Sequence, residues 1–277
     1  MISNVQVLGQ PAKRIVAPDG ATATVLLHGG QIVSWVPAGD QERLYLSPIA
    51  VAGPGQAVRG GIPVIFPQFE QRGPLPRHGL ARNRGWQWVE GAVRGDAAFC
   101  VLRLTDDEAS RAIWPHAFEL ELTLSLSGLR LDVELAVSNT GHTVFEFTAA
   151  LHSYLRIGDL ARAKLHGLYG VRYQDMVHGG SHLQELDPLG FAAEIDRLYQ
   201  DLRGPLSLAT AMGRMTIEFE GFPDAVLWNP GPVKAAALVD LPDADWQQML
   251  CVEAAAVASP VTLSPGQEWV GRQGFDA

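Results

Sequence analysis

Between Phe118 and Val137 apolar and polar residues alternate with a period of two. Phe118, Leu120, Leu122, Leu124 and Leu126 are separated by Glu119, Glu121, Thr123 and Ser125. After Ser127–Gly128 the pattern resumes, with Leu131, Val133, Leu135 and Val137 separated by Asp132, Glu134 and Ala136. On a helix this spacing would scatter the leucines around the axis. On a strand it puts them all on one face. The stretch therefore predicts a long antiparallel hairpin with one buried face, turning at Ser127–Gly128.

Strand signals continue on both sides. Residues 21–37, ATATVLLHGGQIVSWVP, read as two strands about a Gly29–Gly30 turn. RLYLS at 43–47, the run from Trp86 through Val89, and AAFCVLRLT at 97–105 read as further strands. So do VFEFTAALHSYLRI, MTIEFEG, AVLWNPG, MLCVEAAAV and PVTLSPGQEWV. Short strands are expected near 165–172 and 206–209 within the less regular residues 158–215. Helical signals are few. DDEASRAIWP has Asp106 or Asp107 as a cap and Pro115 as a stop, and DADWQQM could make one turn capped by Asp243. Strands without alternating helices exclude an α/β fold. They predict an all-β chain, a large antiparallel β-sandwich with few short helices, as a single domain over 1–277.

No GxxxxGK[ST] or GxGxxG motif supports nucleotide binding, and no Cys/His cluster has zinc spacing. No apolar run approaches the roughly 18 residues of a membrane span, and MISNVQVLGQPAKR lacks a signal-peptide core. Cys100 and Cys251 lie far apart in apolar runs, which fits reduced core thiols and a cytoplasmic location. A soluble monomer is the default expectation.

Against this acidic chain, of formal net charge −9, one stretch is basic. Residues 59–86, RGGIPVIFPQFEQRGPLPRHGLARNRGW, hold five arginines (Arg59, Arg72, Arg77, Arg82 and Arg84) and one acid, Glu70. Guanidinium forks match phosphate or carboxylate oxygens, so a basic island points to a small anion. A nucleic-acid surface would need a basic face across the whole domain, and none is expected. Such a stretch also reads as a solvated Gly-Pro loop.

The wording of RGGIPVIFPQF followed by LPRHGLARN resembles the hexose-6-phosphate mutarotases (glucose-6-phosphate 1-epimerases), a branch of the aldose 1-epimerase superfamily. The sequence departs from their pattern at Glu70, where Gly is usual, at Leu80 for Phe, and at Arg77 for Gln or Ala. The resemblance runs on through the His152 strand, EIDRLY, VLWNPG and the Cys-Val-Glu strand, in that order. It implies a galactose mutarotase-like supersandwich.

It also implies roles. His152, in LHSYLRI, matches the family's general acid, although a lone histidine in an Ala- and Leu-rich strand is more often a hydrogen-bonded core residue. Glu253, in MLCVEAAAV, matches the general base. Independently, a carboxylate in an apolar strand is expensive to bury unless paired or useful, and burial raises its pKa toward the range of a base. Asp196, in EIDRLY, matches an aspartate that binds sugar hydroxyls, and reads otherwise as a salt bridge to Arg197 or a turn cap. His78 matches a sugar-pocket histidine, and Arg59 and Arg82 match arginines near the 6-phosphate. Arg84 is a third candidate anion ligand. Arg72 and Arg77 read equally as loop charges, and Trp228 as either a sugar-stacking ring or core.

The implied reaction is interconversion of α and β anomers of hexose 6-phosphates, with glucose 6-phosphate the expected substrate. An acid protonates the ring oxygen while a base takes the anomeric proton. The chain then rotates about C1–C2 and recloses from the other face. No metal or organic cofactor is called for. Alternatives are an epimerase of unphosphorylated aldoses, a non-catalytic carbohydrate-binding protein, and a glycoside hydrolase. The last usually needs two carboxylates flanking the bond; only Glu253 and Asp196 offer themselves, and the His–Glu pairing fits mutarotation better.

Overall fold

The computed structural model describes residues 1–277. All strand pairs are antiparallel, and the strands form three sheets of four, eight and nine. The fold is mostly β. The predicted hairpin runs Phe118–Ser127 and Arg130–Asn139 in unbroken register, with Gly128 at φ 58° in the turn. Ser127 still pairs with Arg130, so the turn is Gly128–Leu129 rather than Ser127–Gly128. All nine alternating apolar side chains are at most 1 % exposed. Removing each from water contributes about 1.5–3 kcal/mol. This hairpin sits inside the nine-stranded sheet, which runs from the short strand Leu189–Gly190 to Gln87–Arg94.

The eight-stranded sheet carries the long strand Met249–Leu263, flanked by Asp224–Asn229 on one side and by Phe145–Leu151 and Tyr154–Arg156 on the other. Val64–Ile65, from the basic stretch, extends it beyond Phe145–Leu151. Side chains on its two faces enter different cores. Val252, Ala254 and Leu227 pack toward the leucine hairpin in the main core, which also takes in Trp35 and Ala23 of the four-stranded sheet. Cys251, Ala255, Val226 and Trp228, one residue out of phase, join a second, smaller core on the opposite face. This two-faced burial explains why AVLWN and MLCVEAAAV are apolar throughout instead of alternating.

Several local expectations are corrected. RLYLS makes only isolated bridges, Leu44 to Leu155 and Leu46 to Gly60, because its partner changes midway: the Tyr45 amide donates to Tyr154 of the strand Tyr154–Arg156, the Ser47 amide to the loop residue Arg59. The run PVTLSPGQEWV is not one strand: residues 260–263 end the strand Met249–Leu263, and the next begins at Glu268. Asp243 caps nothing. The single turn Asp245–Gln248 starts from Ala244, and Asp245 instead accepts the Tyr45 hydroxyl proton at 2.7 Å. The helix Glu108–Ile113 does form as expected, with Asp107 and Ser110 in a reciprocal capping box. Ile2–Val7 and Gln10–Val16 are strands without a strong pattern of their own.

Candidate functional site

The register of the eight-stranded sheet brings His152 and Glu253 together. Leu151 pairs with Ala254 and Tyr154 pairs with Cys251, so His152 stands opposite Glu253 although about a hundred residues separate them. Two cross-strand rows result on one face. Asp196, Trp228, Cys251 and Tyr154 form one; Leu198, Val226, Glu253 and His152 form the other. A cleft opens over these rows, enclosing about 910 Å³ of empty space including its mouth. His152 and Glu253 lie at its floor, 8 % and 0 % exposed.

His152 Nδ1 lies 3.2 Å from Glu253 Oε1. Neither atom, nor Glu253 Oε2, has a hydrogen-bond partner. Buried polar groups are nearly always paired, so an orphaned carboxyl at a cleft floor marks a site where something else completes the bonding. Burial, then the carboxylates of Asp196 and Glu70, push the Glu253 pKa well above the usual range. Burial, then the positive surroundings of His78, Arg82 and Arg59, hold the His152 pKa well below its usual value. The empty cleft thus favours a neutral imidazole beside a protonated carboxyl. The His152 ring is stacked on Tyr154, with centroids 4.8 Å apart and planes 10° apart, which fixes its orientation. Cys251, a free and fully buried thiol as expected, lies beside the pair on the same face of the sheet, within 4.8 Å of both groups.

The RGGIP segment crosses the four-stranded sheet's edge too closely for side chains. A Cβ on Gly60 would lie 2.4 Å from Tyr45 O, and one on Gly61 would lie 2.1 Å from Ile32 O. That approach delivers Arg59 to the cleft wall. Its Nε donates to Asp240 at 3.2 Å and its Nη1 donates to the Tyr154 hydroxyl at 3.0 Å. His78 sits at φ 64°. Its Nδ1 accepts from the Glu70 amide at 3.4 Å, leaving Nε2 as the protonated nitrogen. Burial, then Arg82, Arg77 and Arg59, lower its pKa to about 3, so it is a neutral donor. Arg82 donates from Nη2 to the Arg77 carbonyl at 3.0 Å, while its buried Nε has no partner.

Six of the seven expected site residues line this cleft: His152, Glu253, Arg59, His78, Arg82 and Asp196. Arg84 does not. Its side chain turns to a separate depression and donates to Asp107 at 2.6 Å, beside the helix cap. Of the residues left open, Arg77 and Trp228 line the cleft, whereas Arg72 reaches toward Gln174 at 3.3 Å on the surface. Sequence reasoning missed Asp240, Lys234 and Glu70 as cleft residues. Lys234 comes from the five-residue helix Gly231–Ala235 and Asp240 from the loop after it, both too short for periodicity to report direction.

Comparisons with known proteins agree with this architecture. The aldose 1-epimerase family model matches residues 13–276. A protein of Cenchrus ciliaris named "Putative glucose-6-phosphate 1-epimerase" is 38 % identical over 269 residues, covering 92 % of this chain and 81 % of its own. An Escherichia coli protein of the same name is 33 % identical over 239 residues, covering 84 % and 79 %. The crystal structure of a mutarotase-named protein from Salmonella typhimurium superposes with a TM-score of 0.91 at 28 % identity, covering 99 % of this chain and 92 % of that one. A galactose mutarotase-like protein from Clostridium acetobutylicum shares the fold, with a TM-score of 0.77 at 16 % identity over 99 % and 97 % of the two chains. On the family match and these relatives together, the chain belongs to the aldose 1-epimerase family.

Proposed function

We propose that the protein interconverts the α and β anomers of hexose 6-phosphates, glucose 6-phosphate foremost, with His152 as general acid and Glu253 as general base. The carrying observation is the orphaned His152–Glu253 pair at the floor of a cleft whose wall holds Arg59 and Arg82. In the reactive complex Glu253 is a carboxylate and His152 an imidazolium. Glu253 takes the anomeric hydroxyl proton while His152 gives its proton to the ring oxygen, and the C1–O5 bond breaks. The open aldehyde then faces a neutral imidazole and a protonated carboxyl. Rotation about C1–C2 presents the other carbonyl face. The C5 hydroxyl attacks, returns its proton to His152, and the new anomeric oxygen takes the proton from Glu253.

The proton count is the same before and after ring opening. The neutral pair favoured in the empty cleft is also the state needed while the open aldehyde is bound. The pair is therefore electrostatically closer to the reaction's intermediate than to its ground state, which is the sense of transition-state complementarity. Asp196 accepts from sugar hydroxyls, and His78 donates through Nε2. Trp228, edge-on to His152 at a centroid distance of 6.1 Å, walls the sugar face. Anomer exchange measured at equilibrium by NMR, for glucose 6-phosphate and glucose side by side, tests the reading. Acceleration of the phosphate ester is expected. Acceleration of neither sugar would overturn it.

A further inference from the structure

Four cationic side chains line the cleft, and three already have a carboxylate. Arg59 is bound to Asp240, Arg77 to Glu70 and Lys234 to Glu194. Arg82 has none: its one hydrogen bond goes to a backbone carbonyl, and its buried Nε makes no bond at all. Arg82 is thus the one cleft cation with no carboxylate in contact, in the cleft whose floor holds His152. Arg59 adds to its field through Tyr154, whose hydroxyl Arg59 contacts and whose ring lies flat on His152. These cations oppose the imidazolium that ring opening requires.

We propose that the substrate's phosphate is an activator as well as an anchor: by neutralising Arg82 it lets His152 become the acid. The proposal rests on the function given above and deepens it. The titratable and charged groups around His152 are cationic Arg59 and Arg82, neutral His78, Tyr154 and Cys251, and Glu253. Of these, only the Arg82 guanidinium, which has no carboxylate against it, is newly neutralised when a dianion arrives. Burial already lowers the Arg82 pKa to about 10, which reflects the cost of leaving this charge unpaired. A dianion removes that cost. Once the positive field is offset, a proton passes from the Glu253 carboxyl to the His152 imidazole, giving the carboxylate and imidazolium that start ring opening. No proton enters or leaves in that step. An unphosphorylated sugar filling the same cleft leaves the field in place, so it binds without being turned over efficiently.

The separation of anchor from activator is testable with the phosphate cut off the sugar. Glucose turnover by the wild-type protein is followed by NMR anomer exchange as phosphite is added, with the enzyme-free rate at each phosphite concentration subtracted. Saturable activation of roughly tenfold or more is expected, the scale of one charge-assisted contact. Arg82→Gln gives the second arm. It should lower kcat/KM for glucose 6-phosphate by roughly 10- to 100-fold while raising turnover of glucose, and it should abolish the phosphite effect. A merely structural role would lower both activities. If phosphite leaves glucose turnover unchanged while glucose 6-phosphate is turned over rapidly, the phosphate is an anchor only and the activation is overturned, with the function intact. If neither sugar is turned over with or without phosphite, both readings fall.

Discussion

His152 Nδ1 and Glu253 Oε1 approach to 3.2 Å without forming a hydrogen bond, at the bottom of a cleft where Glu253 is wholly buried. Two strands in fixed register hold them there, so their contact costs stability without being relieved by pairing. Sites of this kind trade stability for readiness to react.

Replacing Glu253 by Gln should therefore abolish turnover, by roughly 100-fold or more, and stabilise the protein at neutral pH. The sign follows from linkage. The carboxyl pKa is raised in the folded state above its ordinary value of 4.5, so the native protein holds a proton that the unfolded chain releases. That contribution is fully present below pH 4.5 and is lost as the pH rises toward the folded pKa. Gln carries no such dependence. Melting temperatures of wild type and variant should nearly coincide at pH 4.5 and diverge in the variant's favour by pH 8. Equal or lower variant stability at pH 8 would show that Glu253 is satisfied by a partner.

Asp196 supplies a pH dependence in substrate affinity. Burial, then Glu70, raise its pKa to about 6, so near that pH the carboxylate proposed to accept sugar hydroxyls is half protonated. KM should rise as pH falls from 7.5 through 6, before kcat is much altered. Asp196→Asn should show a high KM that no longer varies across that interval. An unchanged pH profile of KM in the variant would remove Asp196 from the sugar contacts.

The sandwich was legible where one face of a strand meets water, as in Phe118–Ser127, because alternation then records burial directly. It was less legible in Ile2–Val7, an edge strand whose residues are all at least partly exposed, and in Ser181–Leu183, which is exposed throughout. Backbone bonding, not side-chain burial, makes those strands. Within the site, Glu253 announced itself as a carboxylate in an apolar run. The cost of burying it is a sequence-level signal. Arg82 and Arg84 carried no such distinction. They lie two residues apart at the end of a three-residue turn, Ala81–Asn83, and leave it in different directions. No composition or spacing reports where a loop arginine points.

That divergence makes Arg84 an internal control. Its pair with Asp107 is at the surface, with Asp107 56 % exposed, and such pairs contribute about 0–1 kcal/mol. Arg84→Gln should leave kcat and KM for glucose 6-phosphate within about twofold of wild type and lower stability by no more than about 1 kcal/mol. A large rise in KM would put Arg84 back into the anion site.

Beneath the His152–Glu253 pair lies a second buried contact, between Ser153 and Gln273, which are both fully buried. Ser153 Oγ donates to Gln273 Oε1 at 2.6 Å, and Gln273 Nε2 donates to the Val252 carbonyl at 2.9 Å. Ser153 and Val252 are the immediate neighbours of His152 and Glu253. Gln273 belongs to the adjoining nine-stranded sheet, so this bridge ties the two sheets together directly under His152 and Glu253. Ser153→Ala leaves Gln273 Oε1 without a donor and should cost about 1–3 kcal/mol. Gln273→Leu alone strands the Val252 carbonyl, leaves Ser153 Oγ only its longer bond to the Leu151 carbonyl at 3.3 Å, and should cost a similar amount. Because the two share one bridge, the double variant should be less destabilised than the sum of the single ones, with a coupling of about 0.5–3 kcal/mol in denaturant titrations. If the bridge also sets the His152–Glu253 spacing, kcat should fall in both single variants while KM stays near wild type, since neither residue faces the cleft. Additive stabilities with unchanged kcat would reduce the bridge to ordinary core packing, and the register of the strands alone would then account for the geometry of the pair.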